Sequence, residues 1–256
     1  MYNLYCCELK KIKKSTYFYV LLLIALIMPA LLSLLVNNNA ALMAERGTPE
    51  SALGYYAFKT AISDSGPSIL LGSILAGLLI CSDFENRTIQ AAAAAGHSRF
   101  SILLGNMAAY ITVLPLLIFP YPLVTLLATC ILNGFGPALT GDIIISMIIM
   151  LFLKVILDSA FLCLCIPICF LIKRPGISMI TSIAVLTGFL ETTASLQTNH
   201  RIWAFLYRWI PHGQLKKIVS LPEPGTQILS AAVSAVCLTL ICFAGAYILF
   251  RNTELK

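Results

Sequence analysis

The chain has 256 residues, of which 59% are hydrophobic and only 11% charged, and its net charge is +6 at neutral pH. An ordinary soluble domain is about 25% charged, so this chain cannot cover a water-facing surface, and a soluble globular enzyme is excluded. The positive charge forms no continuous basic stripe, which excludes a phosphate backbone as partner: no nucleic acid is expected. Long apolar runs instead mark an all-α polytopic membrane protein.

In chain order, Tyr2, Tyr5, Leu9 and Ile12 share one helical face, and Lys10, Lys11, Lys13 and Lys14 occupy the rest. That pattern predicts an interfacial helix over 1–15, with its lysines turned to water and anionic headgroups. A bare basic flank of the first span is the competing reading. Spans are expected at 16–36, 67–82, 100–133, 142–172, 176–196 and 228–250, since a crossing needs about 20 residues. The first run is too long for a signal-peptide core and is read as an anchor. The second is short and can borrow from the residues before it. The third carries Pro115, Pro120 and Pro122. Split there, its second half could not cross, so one kinked helix is expected.

Lys and Arg near the span ends set the orientation. With both termini cytoplasmic, ten fall inside, among them Lys10, Arg87, Lys173 and Arg251, against six outside, four of these in the 197–227 loop. The loop over 37–65 reads as an external connection. The loop over 197–227 holds both tryptophans, Trp203 and Trp209, with Arg201 and Arg208. It is expected to form short helices at the outer interface, where amphipathic rings settle. Of the nine cysteines, Cys163, Cys165 and Cys169 lie close together in an apolar run with no nearby His. They read as small packing residues rather than metal ligands, and no disulfide framework is expected.

Between the second and third spans, Asp83 and Glu85 open an alanine-rich stretch, Ala91 to Ala95, that Gly96 can end and after which Ser98 can cap the next helix. The expectation is a helix over 83–98 lying along the cytoplasmic surface, its faces small enough to fit a groove of another protein. The motif Asp83-x-Glu85-x-Arg87-Thr88-Ile89, followed by Gly96, Ser98, Arg99 and Gly105, resembles that of the type-2 ABC transporter permease family. Gln90 and Asn106 depart from it, standing where lysine is common. The basic opening Glu8 to Lys14 and the six-span layout extend the resemblance over most of the chain.

The resemblance implies that 83–98 is the coupling helix, with Asp83, Glu85, Arg87, Thr88, Ile89, Gly96, Ser98 and Arg99 meeting a separate ABC ATPase subunit. No Gly-Lys dipeptide occurs, so the chain has no phosphate-cradling loop of its own. ATP and Mg would be bound by the partner, and the chain is not itself expected to be an enzyme or to carry a cofactor. A second permease copy, identical or similar, would complete a path across a bacterial cytoplasmic membrane. The expected activity is export of amphipathic peptides of toxin or antimicrobial type by alternating access. Export of drugs or lipids is the alternative, as is a secondary transporter without an ATPase.

Three ionisable groups fall deep in the spans. Counting about 1.5 Å per residue from the inner ends puts Lys154, Asp158 and Glu191 at about 27, 21 and 22 Å. Lys154 and Asp158 are i, i+4 neighbours, so a Lys154–Asp158–Glu191 cluster is expected. It can be a structural ion network, part of the substrate path, or a hydrated site. Intramembrane enzymes fit poorly, because His97, His200 and His212 lie in loops and Asp158 is the one deep aspartate.

Overall fold

A computed structural model describes residues 2–44, 53–138, 140–199, 207, 209–220 and 227–252. Among these residues the secondary structure is helical throughout, with no strand. α1, Tyr2–Lys14, meets α2, Thr16–Ala44, at a turn on Ser15. α2 runs past the expected end at 36, and the connection expected over 37–65 contains a further helix, α3, Gly54–Ser63. Its buried Phe58, Ala61 and Ile62 follow the i, i+3, i+4 rule of a half-buried helix. That short periodicity was hidden among polar neighbours.

The second span begins at α4, Gly66–Ala76, where Pro67 sits in the first turn and needs no hydrogen-bond partner for its nitrogen. It continues through a wider π turn, Gly77–Cys81, into α5, Ser82–Glu85. The apparent shortness of this span is therefore made up at its far end. Gly77 lets α11 approach the π turn: an added Cβ would stand 2.5 Å from Met179 Cγ. A short helix α6, Thr88–Ala94, precedes α7, Arg99–Ile118, and α8, Pro120–Asn133. Phe119 keeps helical angles between α7 and α8, so 99–133 is one kinked helix, as its prolines predict.

The fourth span breaks where the sequence shows only a continuous run. α9, Gly141–Leu162, and α10, Cys165–Ile172, are separated by a turn at Cys163 and Leu164. Pro167 has no N–H to offer the Cys163 carbonyl, and this loosens the helix there. α11 is Pro175–Asn199, α12 is Pro211–Ser220 and α13 is Ile228–Asn252. Among the described residues, six helical stretches are long and apolar enough to cross a membrane: 16–35, 66–85, 99–133, 141–172, 175–195 and 228–251. The chain has the character of a multi-pass membrane protein.

The spans divide into a packed centre and a loose periphery. The second span is 72% buried, and the third and fourth are 61% buried, whereas the first, fifth and sixth are buried by less than a third. Tyr110 of α7 is fully buried at the centre and donates its hydroxyl to the Gly72 carbonyl at 3.0 Å. A second, smaller core joins Phe58 and Ile62 of α3 to Leu153 and Leu157 of α9 and to Leu215 and Ile218 of α12. α1 packs along α7, and α2 and α3 both pack along α8.

Candidate functional site

Two charged sites lie at different levels of the bundle. At the α1 end, Glu8 and Ile12 turn inward on α1, and Lys11, with its side chain 40% exposed, reaches back to them at the surface. Its ammonium pairs with Glu8 at 2.9 Å and with Asp83 at the end of the second span. Thr88 donates its hydroxyl to Asp83 Oδ1 at 2.9 Å. One lysine thus serves two inward carboxylates, a pairing that the expectation of a headgroup contact did not include. Lys10, Lys13 and Lys14 are exposed, as expected. Burial and the neighbouring Asp83 raise the Glu8 carboxyl above its ordinary value. Burial opposes the charge on Lys11, but Asp83 and Glu8 outweigh it and raise the ammonium.

The segment 83–98 is not one helix. Asp83 closes the second span, Arg87 takes a left-handed backbone with φ 55°, and only Thr88–Ala94 form α6. The carboxylates therefore do not sit at the start of the alanine helix; Asp83 reaches it through the Thr88 hydroxyl. Ile89 is buried and anchors α6 to the bundle. Gly96, at φ 86°, ends the helix as its missing side chain allows. Ser98 caps α7 by accepting from Ser101 N. Arg99 donates to the Phe250 and Arg251 carbonyls at the end of α13. Glu85, Arg87, Ala91, Ala94, Ala95, Gly96 and Ser98 remain exposed, so the outer surface of this segment is small-sided.

At the other site, Lys154 and Asp158 of α9 pair at 2.9 Å and are 0% and 2% exposed. The ammonium also donates to the Ile62 and Asp64 carbonyls, at 3.3 and 2.7 Å, where the break between α3 and α4 frees them. Asp158 accepts from Ser65 at 2.9 Å and Ser68 at 2.7 Å. His212 of α12 lies 3.3 Å from the Ser65 hydroxyl through Nδ1. Burial and the nearby Lys216 hold the His212 imidazole below its ordinary value.

Glu191 does not join them. Phe161 and Phe189 have ring centres 6.1 Å apart, so the two helices meet at nearly the expected depth. Glu191, however, is about 200° around the helix from Phe189 and is exposed. Residue count along a span does not give the direction of a side chain, which depends on helical phase. Ser65, Ser68 and His212 were missed, although a Ser-x-x-Ser pair opening a span and a histidine beside Pro211 were available signals.

Trp209 is 49% exposed and closes one end of an apolar groove of about 670 Å³ between α11 and α13. Trp203, with the rest of 200–206, 208 and 221–226 of the 197–227 loop, lies outside the described residues. α12 packs on α9 and α3, so part of that loop is built into the fold. Cys163, Cys165 and Cys169 are fully buried, Cys169 sits 3.0 Å from the Ser178 hydroxyl, and all nine cysteines are free. No group of three or more metal-ligating side chains is present among the described residues. In comparison with known proteins, no family model matches the chain and no curated protein is significantly similar to it.

Proposed function

We propose that the chain is the membrane-spanning subunit of an ATP-driven ABC exporter, a permease of the type-2 kind that works with a separate ATPase subunit. One observation carries this reading. Between two tightly packed spans the chain inserts a short alanine helix, α6, whose outer side is small and exposed, and fixes it to the bundle at Ile89 and through Thr88–Asp83–Lys11. A mere connector needs no such anchoring. A small-sided helix held rigidly at a bundle surface is suited to lie in a groove of another protein and to pass its movement inward.

The loosely packed first, fifth and sixth spans leave surface for a second permease copy and for a path between the two. Glu191, on the exposed side of α11, is placed to face that path. The apolar lining elsewhere favours amphipathic peptide cargo. In this reading the α1 end is cytoplasmic, α1 is interfacial, and the α12 side faces out of a bacterial cytoplasmic membrane. Co-expression with an ABC ATPase encoded beside the gene tests the proposal. A complex that co-purifies and hydrolyses ATP faster with permease than without supports it. A chain that purifies alone and leaves the ATPase rate unchanged opposes it.

A further inference from the structure

The site at the α1 end has a cavity that the docking of α1 does not require. It measures about 270 Å³ and opens between α1, the start of α2 and the end of the second span. Glu8, Lys11, Ser82 and Asp83 line its polar end, and Leu21, Leu75 and Leu79 line the other. At about 1.5 Å per residue, Leu75 lies about 15 Å along the span from Glu85. The cavity thus begins at the membrane surface and runs into the depth of one leaflet.

Its polar end is short of positive charge. Two carboxylates share the single ammonium of Lys11, and their side chains are only 11% and 5% exposed. A second chamber, of about 30 Å³, lies on the far side of the same carboxylates, and Asn106 lines it with a buried Nδ2 that has no hydrogen-bond partner. Polar groups buried this way are normally satisfied, and a chamber of that size has room for a water but not for a lipid headgroup. The surplus negative charge calls for a cation, and the leucine wall calls for an aliphatic chain.

We propose that this cavity binds an aminophospholipid of the leaflet in which α1 lies. The lipid ammonium sits against Glu8 and Asp83, and one acyl chain runs along Leu21, Leu75 and Leu79. An anionic lipid without an amine adds charge of the wrong sign at the carboxylates. A free amine leaves the leucine wall unfilled. The inference does not rest on the transport reading, because it requires only that α1 lie at a membrane surface.

The test uses the full chain, purified in detergent and stripped of lipid, in native mass spectrometry with phosphatidylethanolamine, phosphatidylglycerol or free ethanolamine. Loss of one charge-assisted contact corresponds to about tenfold in affinity, so phosphatidylethanolamine should be retained about tenfold more tightly than phosphatidylglycerol. Leu79→Trp fills the apolar end. Asn86→Trp occludes the mouth from an exposed position and leaves the packing intact. Both should abolish the preference. Equal retention of the two lipids, an unchanged preference in Asn86→Trp, or equally tight binding of free ethanolamine would overturn the proposal.

Discussion

The two charged sites use the same residue types and differ in balance. Around Lys154, one ammonium meets one carboxylate and two freed carbonyls, two serine hydroxyls donate to that carboxylate, and the group is sealed. Around Lys11, one ammonium serves two carboxylates beside an open cavity. A buried ion pair is stable only when its remaining hydrogen-bonding capacity is met, and the first site meets that condition within the chain. The second leaves it to something outside. The sealed site holds α3, α4, α9 and α12 together, and the open one is where the proposed lipid would bind.

Removing the lysine of the sealed site should have the largest effect. Lys154→Met leaves Asp158 buried without its counter-charge, a loss of about 3–5 kcal/mol. The expected result is a sharp fall in monodisperse protein by fluorescence-detected size exclusion. Lys154→Met combined with Asp158→Leu should recover most of the yield, since removing both charges is close to neutral in many buried pairs. If the single variant is as stable as the parent, the sealed site is not what holds those helices.

Lys11→Met should cost less, on the order of 1 kcal/mol, because the lysine side chain is 40% exposed and solvent screens the pair. The loss should shrink in acid. Glu8 is already raised above its ordinary value, so it takes up a proton early as the pH falls and no longer needs the ammonium. Melting temperatures of parent and variant measured across pH should converge toward acid. A constant gap would mean that Lys11 acts by packing alone.

His212 tests whether the sealed site also responds to pH. Its imidazole is held below its ordinary value of 6.5, so a released histidine binds a proton in a range where the docked one does not. Docking of α12 therefore weakens as the pH falls below that value. Lys154, Lys216, Asp158 and Asp64 face the ring; burial and Lys216 are the leading causes of the shift. The expected effect is a modest acid-dependent rise in hydrogen exchange across α12, abolished by His212→Asn. An unchanged profile in the variant would assign the acid response elsewhere.

Glu191 should matter least to stability. It is exposed, so Glu191→Gln is expected to shift unfolding by no more than about 0.5 kcal/mol. Under the exporter reading it should instead slow peptide movement by the reconstituted complex. A variant that transports normally would remove Glu191 from the path.

The sequence made the number of spans and the kink at Pro115 to Pro122 legible, because length, hydropathy and missing N–H groups act locally. The pairing of Lys154 with Asp158 was legible from their i, i+4 spacing. What it concealed depended on side-chain direction and on long-range partners. Glu191 lies on the wrong side of its helix, and Lys11 reaches two carboxylates only because Asp83, distant in sequence, stands opposite. The break between α3 and α4 supplies Lys154 with backbone carbonyls that no side-chain motif announces. Arg87 in a left-handed backbone divides the segment that helix propensity alone would join.

The central claim is that α6 and the exposed residues after it are gripped by an ATPase subunit, and cross-linking tests this most directly. Ala91→Cys or Ala95→Cys, each at an exposed position, would be combined with a short bifunctional thiol reagent and a co-expressed ABC ATPase. A covalent permease–ATPase product is expected at both positions and none from a cysteine placed at Leu127, exposed on α8 far along the chain. Cross-linking from Leu127 but not from Ala91 or Ala95, with the complex intact, would contradict it.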